Sequence, residues 1–555
     1  MKSKQFFGIL FGALFLLSCK KDFLDRLPLD ELLTENFYAN EEALQIAVNG
    51  GYAYLKGKAT VDMENLGDNT LNSSVNDYQK IASGNFANDV GVLNSEWATD
   101  YDGIRLCNAF LENYKKAEGR ESVKESLAGE IRFLRAYLYF YLTQFYGDVQ
   151  LITKTLSFTD PELYGKRDPK APIVDFILNE LDSAAIKLPT TYPKSTDLGR
   201  ITKGAALALK ARVALYNQKW DVAEKAAKDV MDLSSVYQLY TAGTPATAYN
   251  DFFTYKGKLK NGTNKETILA RIYSAEALSF HNMSREAQVP DQASRWNPTK
   301  SLVDAYLCSD GLPINKSPLY KEDTYANLFK NRDPRMTQTI LQPGSAWGGR
   351  QDGQNLTSTA TWGTFTAPKF ISNKLGSVTI TGYYFTKYVE LSTVAAVGKD
   401  ENDIHLIRLA EVLLTYAEAR LEQGKLTQAD IDLTINKLRQ RVGMKLMTIT
   451  DLAANGMDLH TEVRRERRVE LALEGQRYFD ILRWKQGSLL AADIKGMKKS
   501  LAFRASDVSN LPGDAQGYII AYSGRVFTDP KNYLWPISLT QLERNPNLLP
   551  QNPGW

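Results

Sequence analysis

The 555-residue sequence predicts a mainly α-helical chain, with helical hairpins forming a scaffold and a loop-rich stretch carrying small β elements. Three observations carry that expectation. Pro-free stretches with apolar residues at helical spacing lie on both sides of the middle of the chain, at 129–146, 202–233 and 404–484. Between about Thr241 and Lys399 that periodicity fades, and Gly, Ser, Thr, Asn and Pro punctuate the sequence. A composition of 43% hydrophobic and 11% aromatic residues supplies a large core and excludes wholesale disorder, while three cysteines cannot form a disulfide framework.

The first element is an export signal. Lys2 and Lys4 precede an unbroken run of apolar and Gly residues from Phe6 to Leu17. Such a run rises about 18 Å as a helix, short of the roughly 30 Å hydrocarbon core, so it reads as a secretory signal peptide (residues 1–18) rather than a span. Leu16-Leu17-Ser18-Cys19 resembles the bacterial lipobox, in which the cysteine is lipidated after cleavage in front of it. The bland alternative is an ordinary signal peptide with a chance cysteine; position, the small residue before Cys19 and the apolar run favour the lipobox. Two or three acyl chains, at about 0.8 kcal/mol per buried CH₂, anchor a protein durably. No later segment approaches eighteen uninterrupted apolar residues.

Helices follow in order. Gly129 to Tyr146 (GEIRFLRAYLYFYLTQFY) has apolar residues around most of its circumference and ends at Gly147, a C-cap residue. Thr202 opens an alanine-rich helix that suits close packing, and after Asn217-Gln218 a second helix runs from Trp220 to Leu233. So short a turn makes an antiparallel hairpin, the unit of tetratricopeptide-like arrays, although no strict 34-residue period is visible. In the loop-rich part, Val378 to Glu390 (VTITGYYFTKYVE) has strand composition. The last block predicts helices over Ile404–Glu422, Thr427–Arg441 and Glu462–Trp484. Its final segment holds seven basic and five acidic residues between Glu462 and Lys485, which reads as an amphipathic helix pairing its charges at three- and four-residue spacing.

Chemistry-bearing motifs are missing. His281, His405 and His460 lack metal-ligand spacing, and neither a nucleophile elbow nor a dinucleotide glycine pattern occurs. Gly257 and Gly262 have P-loop separation, but Thr263 stands where the lysine is needed. Paired carboxylates for glycoside hydrolysis need no motif and stay open. Cys107 and Cys308 read as buried small hydrophobes. With 67 Lys+Arg against 64 Asp+Glu there is no charge surplus to draw the chain to nucleic acid. No metal and no cofactor is expected.

A run of motifs in order carries a family resemblance: Trp97, Tyr101, Gly103-Ile104 and Asn108; Ala128 to Val149; Arg200 to Ala206; Asn331 to Met336; Ile407 to Ala419; Arg439 to Gly443; Glu466 to Trp484; and the tail Leu534 to Ile537, Asn545-Pro546 and Gln551 to Trp555. With Cys19 to Asp25 as a mature start, the chain resembles the SusD/RagB family of Bacteroidetes outer-membrane lipoproteins over nearly its full length. Gln150 departs from the proline common there. The resemblance implies a tetratricopeptide-like scaffold (19–240), a loop-rich variable region (241–400) and a C-terminal helical region (401–555), with 241–555 together the RagB/SusD domain. It implies a surface-exposed, lipid-anchored protein of the outer membrane. Such a protein binds glycans and passes them, as a hinged lid, to a SusC-like TonB-dependent transporter. It implies binding, not catalysis; a peptide-binding member, a secreted glycan-degrading enzyme and a structural helical scaffold stay open as alternatives.

The ligand candidates are side chains suited to sugars, which need aromatic platforms and planar polar groups. Asp68 and Asn69 lie in the polar loop GDNTLNSSVND, a region that often faces ligand in that family. Trp296, Trp347 and Trp362 sit in the variable part, with Arg350 beside two glycines as a hydrogen-bond donor. Trp97 is a candidate too, although its place in a shared motif favours a core or interface role. The Asn331–Arg335 motif reads as a structural turn. Removing residues 1–18 leaves 65 basic against 64 acidic residues, a near-neutral body that suits an uncharged sugar.

Overall fold

The strongest helical stretches pack against one another in chain order. The computed structural model describes residues 38–288, 295–349, 363–370, 377–394, 396 and 398–555. Cys19, Arg350 and Trp362 therefore lie outside the described residues. Numbering only helices of seven residues or more, α1 is Glu41–Gly51, α2 Gly91–Asn113, α3 Glu121–Tyr146, α4 Lys170–Lys187, α5 Lys203–Tyr216 and α6 Trp220–Met231. The C-terminal block adds α7 Leu409–Glu422, α8 Ile435–Val442, α9 Leu459–Glu470 and α10 Arg477–Arg483. Each of α2 to α6 packs on the next, α6 continues onto α7 and α7 onto α9. The fold is mainly α, with few and short strands.

Local chemistry explains these elements. Nearly every residue of α3 from Leu127 to Tyr146 is buried, and Gly147 stops the helix with φ 73°. Thr202 caps α5 by accepting from the Ala205 amide, and Gln218 turns the chain into α6 at φ 57°. At Gly204 a Cβ would stand 2.3 Å from the Tyr237 hydroxyl, so only glycine admits that close approach. Arg212 of α5 donates to both oxygens of Glu411 in α7 at 2.6 Å, joining the two helical blocks through a sealed pair.

All named strands form two-stranded antiparallel ladders. These are β1 Thr70–Leu71 with β3 Asn297–Pro298, β2 Thr267–Arg271 with β6 Ile404–Arg408, β4 Ala346–Trp347 with β5 Gly363–Thr364, and β7 Ile494–Lys498 with β8 Tyr518–Tyr522. Four expectations change. Thr427–Arg441 is not one helix but two, Gln428–Leu433 and Ile435–Val442, broken at Thr434. Ile404–Arg408 is a strand, because its β-branched and apolar residues find a ladder partner in β2, and α7 begins only at Leu409. Val378–Glu390 forms no named strand: the Thr379 hydroxyl accepts from the Thr381 and Gly382 amides in a turn, Gly382 takes φ 89°, and Phe385 makes a lone bridge to Ile340. The stretch Glu462–Trp484 is two helices, broken where Leu473 and Gly475 adopt φ 66° and 72°.

Two apolar cores result. One fills the helical scaffold; the second gathers the loop-rich region, including Trp296, Trp347, Tyr384 and Phe385, together with C-terminal residues such as Leu473, Met497 and Ile519. Buried charges join them. Arg408 donates to Glu266, Glu470 and Glu474, Arg335 to Asp333, Glu466 and Glu470, and Lys387 to Glu474. The charges of the Glu462–Lys485 segment therefore pair mainly across the fold, not along one helix as expected; Arg465–Glu462 and Arg483–Asp480 are the i,i+3 pairs that do form there. Asp333 caps a short helix and holds Arg335, the structural turn read from the sequence. Cys107 and Cys308 are buried, and burial pushes the Cys107 thiol up to about 12.

The tail closes on the N-terminal helices. Trp535 stacks on Phe145 at 4.0 Å, and the Asn552 amide donates to the Tyr146 carbonyl. Among the described residues no helix is long and apolar enough to cross a membrane.

Candidate glycan cleft

Asp68 and Asn69 arrive at one site because β1, just after them, pairs with β3, just before Thr299. The Thr299 amide donates to the Asn69 carbonyl at 3.0 Å and its hydroxyl to the Asp68 carbonyl at 2.6 Å. That same hydroxyl caps the short helix Lys300–Ala305 by accepting from Leu302. Arg477 grips the Asp68 carboxylate from two nitrogens, at 2.7 and 3.0 Å, and Arg468 approaches it at 3.2 Å. Arg468 also donates to Asn69 at 2.8 Å and to Ser301 at 2.9 Å. Burial raises the Asp68 pKa, but Arg468, Arg477 and Arg525 outweigh it and hold this carboxyl well below the usual carboxylate range. Burial and the neighbouring Arg477 guanidinium bring Arg468 down to about 10.

This floor opens into a cleft of about 480 Å³ whose far wall is the β7–β8 ladder. Half-buried Tyr518 lines it, with the Lys300 and Lys498 ammoniums 4.3 and 5.0 Å from its ring centroid and its hydroxyl donating to Glu322 at 2.7 Å. Lys495 pairs with Asp514, Lys300 with Asp304, and Arg465 with Glu462. Each cation on the wall thus has a carboxylate partner, while Asp493, exposed on the same wall, has none among the described residues, which leaves a surface of oriented donors and acceptors, one aromatic ring and one free carboxylate. Such a surface suits a polyhydroxyl ligand: planar polar groups meet hydroxyls and the ring meets a sugar face.

The other candidates lie elsewhere. Trp296 and Trp347 are each 1% exposed in the second core. Trp347 packs on Phe365 and Tyr384 at 5.3 and 5.7 Å, and Trp296 lies beneath the Lys58 ammonium. Neither offers an open indole face, so the sugar-platform expectation is corrected for both; glycine- and serine-rich neighbours suggested surface, and packing from distant segments covers them. Trp97 is 5% exposed, packed edge-on against Tyr146 at 5.1 Å, and backs a different groove. The sequence reading missed Tyr518, Lys300, Arg468, Lys495 and Asp514. The one local signal was the β-branched and aromatic run Tyr518-Ile519-Ile520-Ala521-Tyr522, which marks a strand but not a ligand wall.

Comparisons with known proteins agree with this architecture. The family model described as SusD family matches residues 265–555, and one described as starch-binding associating with outer membrane matches 22–215. A SusD-like protein of Bacteroides ovatus is 24% identical, the match covering 87% of this chain and 83% of that protein. A SusD-like protein of Formosa agariphila is 22% identical over 96% of each. Among solved structures, a SusD-like carbohydrate binding protein from Bacteroides fragilis is similar with TM-score 0.78 and 28% identity, over 93% of this chain and all of the other. A laminarin binding SusD-like protein shares the fold at TM-score 0.63 and 20% identity, covering 93% of this chain and 100% of that one.

Proposed function

The chain belongs to the SusD family, and from that premise we propose that it is a cell-surface lipoprotein of the outer membrane that captures glycans and acts as the lid of a SusC-like TonB-dependent transporter. The observation that carries the reading is the cleft at Asp68, where a tyrosine ring lies among polar side chains whose cations are each paired with a carboxylate. Support also comes from the carbohydrate-binding function named for the similar Bacteroides fragilis protein and from the outer-membrane description of the matching N-terminal model.

In this reading Tyr518 stacks on a sugar ring, while Ser301, Gln516 and the Asp514 carboxylate meet its hydroxyls. Asp68 and Asn69 hold Arg468 in place behind them. On the same reading the protein binds without catalysis, and Asp68, gripped by two arginines, stays a carboxylate that positions Arg468. Acylated Cys19 tethers the body, so that a lid can open without leaving the membrane.

The test is a glycan array probed with the mature chain, residues 20–555, beside Tyr518→Ala. Saturable binding that Tyr518→Ala weakens about tenfold is expected. An array blank for the wild-type chain, or binding that the variant keeps in full, would overturn the assignment of the cleft. Co-isolation of a TonB-dependent transporter with the membrane-anchored chain tests the partner, and its absence from detergent extracts rejects the lid.

A further inference from the structure

A second concave surface lies on the scaffold, away from the cleft. It is a groove of about 540 Å³ between one face of α2, the loop 150–164 and the tail helix Leu539–Arg544. Trp97, Tyr101, Arg105 and Asn108 line it from α2 at spacings of four, four and three, which places them on one helical face.

The groove is built and held rigid. The Tyr101 hydroxyl donates to the Gln150 carbonyl at 2.7 Å, and the Asn108 amide donates to Ile152 and Lys154 carbonyls at 3.0 Å. Across it, Asn545 and Asn547 donate to the Gly165 and Tyr164 carbonyls. The motif residues thus tie down the walls through their polar ends. They leave the rim to others.

That rim carries a combination found nowhere else among the described residues. Three aromatic side chains stand in solvent: Phe158 at 85%, Phe503 at 75% and Tyr164 at 49% exposure. Phe158 and Tyr164 both border this groove. Asp102, Arg105 and Arg544 point from the same surface, and among the described residues none of the three makes a hydrogen bond or ion pair. In the Asp68 cleft every cation is already paired with a carboxylate; here free donors and an acceptor stand beside exposed rings.

We propose that this groove is a second carbohydrate site, which takes an oligosaccharide with its apolar sugar faces on Phe158 and Tyr164 and its hydroxyls on Asp102, Arg105 and Arg544. The proposal rests on the carbohydrate-binding reading but concerns a separate surface. A volume of about 540 Å³ is that of a small-molecule pocket, large enough for two or three sugar rings and far smaller than a protein interface. Walls fixed by backbone hydrogen bonds lower the ordering cost of binding.

The experiment is affinity electrophoresis of the full mature chain in gels containing soluble starch, laminarin, xylan or alginate, with three proteins compared: wild type, Phe158→Ala/Tyr164→Ala and Tyr518→Ala. Because Phe158 and Tyr164 are exposed, the double variant should keep the wild-type thermal midpoint. The expected result is retardation of wild type by at least one polymer, weakened at least fivefold in the double variant, with a part of the binding surviving in Tyr518→Ala. A double variant retarded like wild type overturns the second site and leaves the cleft intact; loss in Tyr518→Ala alone says the same. Wild type unretarded by every polymer overturns both. If the double variant binds glycans fully but no longer retains a co-purifying membrane protein, the groove is a protein interface and the proposal fails.

Discussion

Arg408 and Glu470 meet at 2.8 Å with side chains 1% and 0% exposed, at the junction of the two cores. All the guanidinium nitrogens of Arg408 are engaged, with Glu266, Glu470, Glu474 and the Glu470 carbonyl as acceptors. Burial raises the Glu470 pKa, but Arg441, Arg408 and Arg335 overcome it and hold this carboxyl well below its ordinary range. Removing one partner of such a set leaves buried charge uncompensated, which costs far more than the pair contributes. Arg408→Met should therefore lower stability by about 3–5 kcal/mol in denaturant titration. A loss below about 1 kcal/mol, typical of exposed pairs, would show that these charges are not sealed.

His405 offers a pH-dependent counterpart. Burial against Phe252, on which it stacks at 4.1 Å, pushes it down to about 3, with Glu474 and Arg408 acting in opposite senses. A histidine depressed in the folded state binds its proton more readily when unfolded. It therefore costs stability as pH falls from about 6.5 toward the folded value, at about 1.4 kcal/mol per pH unit. His405→Gln removes that component, so its stability should fall about 2 kcal/mol less than wild type between pH 7 and 5. Parallel pH profiles for the two proteins would refute the assignment.

Asp68 separates architecture from ligand contact. Asp68→Asn leaves Arg477 and Arg468 without their shared carboxylate. It should lower both the thermal midpoint and glycan affinity. Tyr518→Ala, on the half-buried cleft wall, should lower affinity with a smaller change in the midpoint than Asp68→Asn. If Asp68→Asn leaves the midpoint unmoved, the arginine grip is not structural.

Cys19→Ala tests the anchor. The variant should accumulate unlipidated and leave the membrane fraction, detected by fractionation and loss of acyl labelling. Sedimentation with outer membranes at wild-type levels would reject lipidation as the tether.

What the sequence disclosed depends on how local each cause is. The α5–α6 hairpin was legible because Thr202, the alanine face and Asn217-Gln218 act within a few residues. The strand Ile404–Arg408 was not, since its apolar run passes straight into α7 and only the distant β2 sets its conformation. The same holds for charge: Glu466, Glu470 and Glu474 look like one solvated helical face in sequence, yet each turns to arginines or a lysine brought in from elsewhere. At the cleft, Asp68 and Asn69 were named from their polar loop, whereas Tyr518 comes from a strand about 450 residues later that nothing local links to them. Phe158 carries no periodic signal at all; its meaning comes from the groove beside it.

The two-residue ladder of Thr70–Leu71 with Asn297–Pro298 has a consequence for biosynthesis. It fixes the cleft floor from segments made early and midway, while Tyr518 and Asp514 are among the last residues translated. A growing chain can therefore make most of its helices before the far wall of the proposed cleft exists. A chain cut short before Asp514 would lack both the far wall of the cleft and the tail residues Trp535, Ile537 and Leu548 that complete the scaffold core, so the last segment to be made finishes cleft and core together.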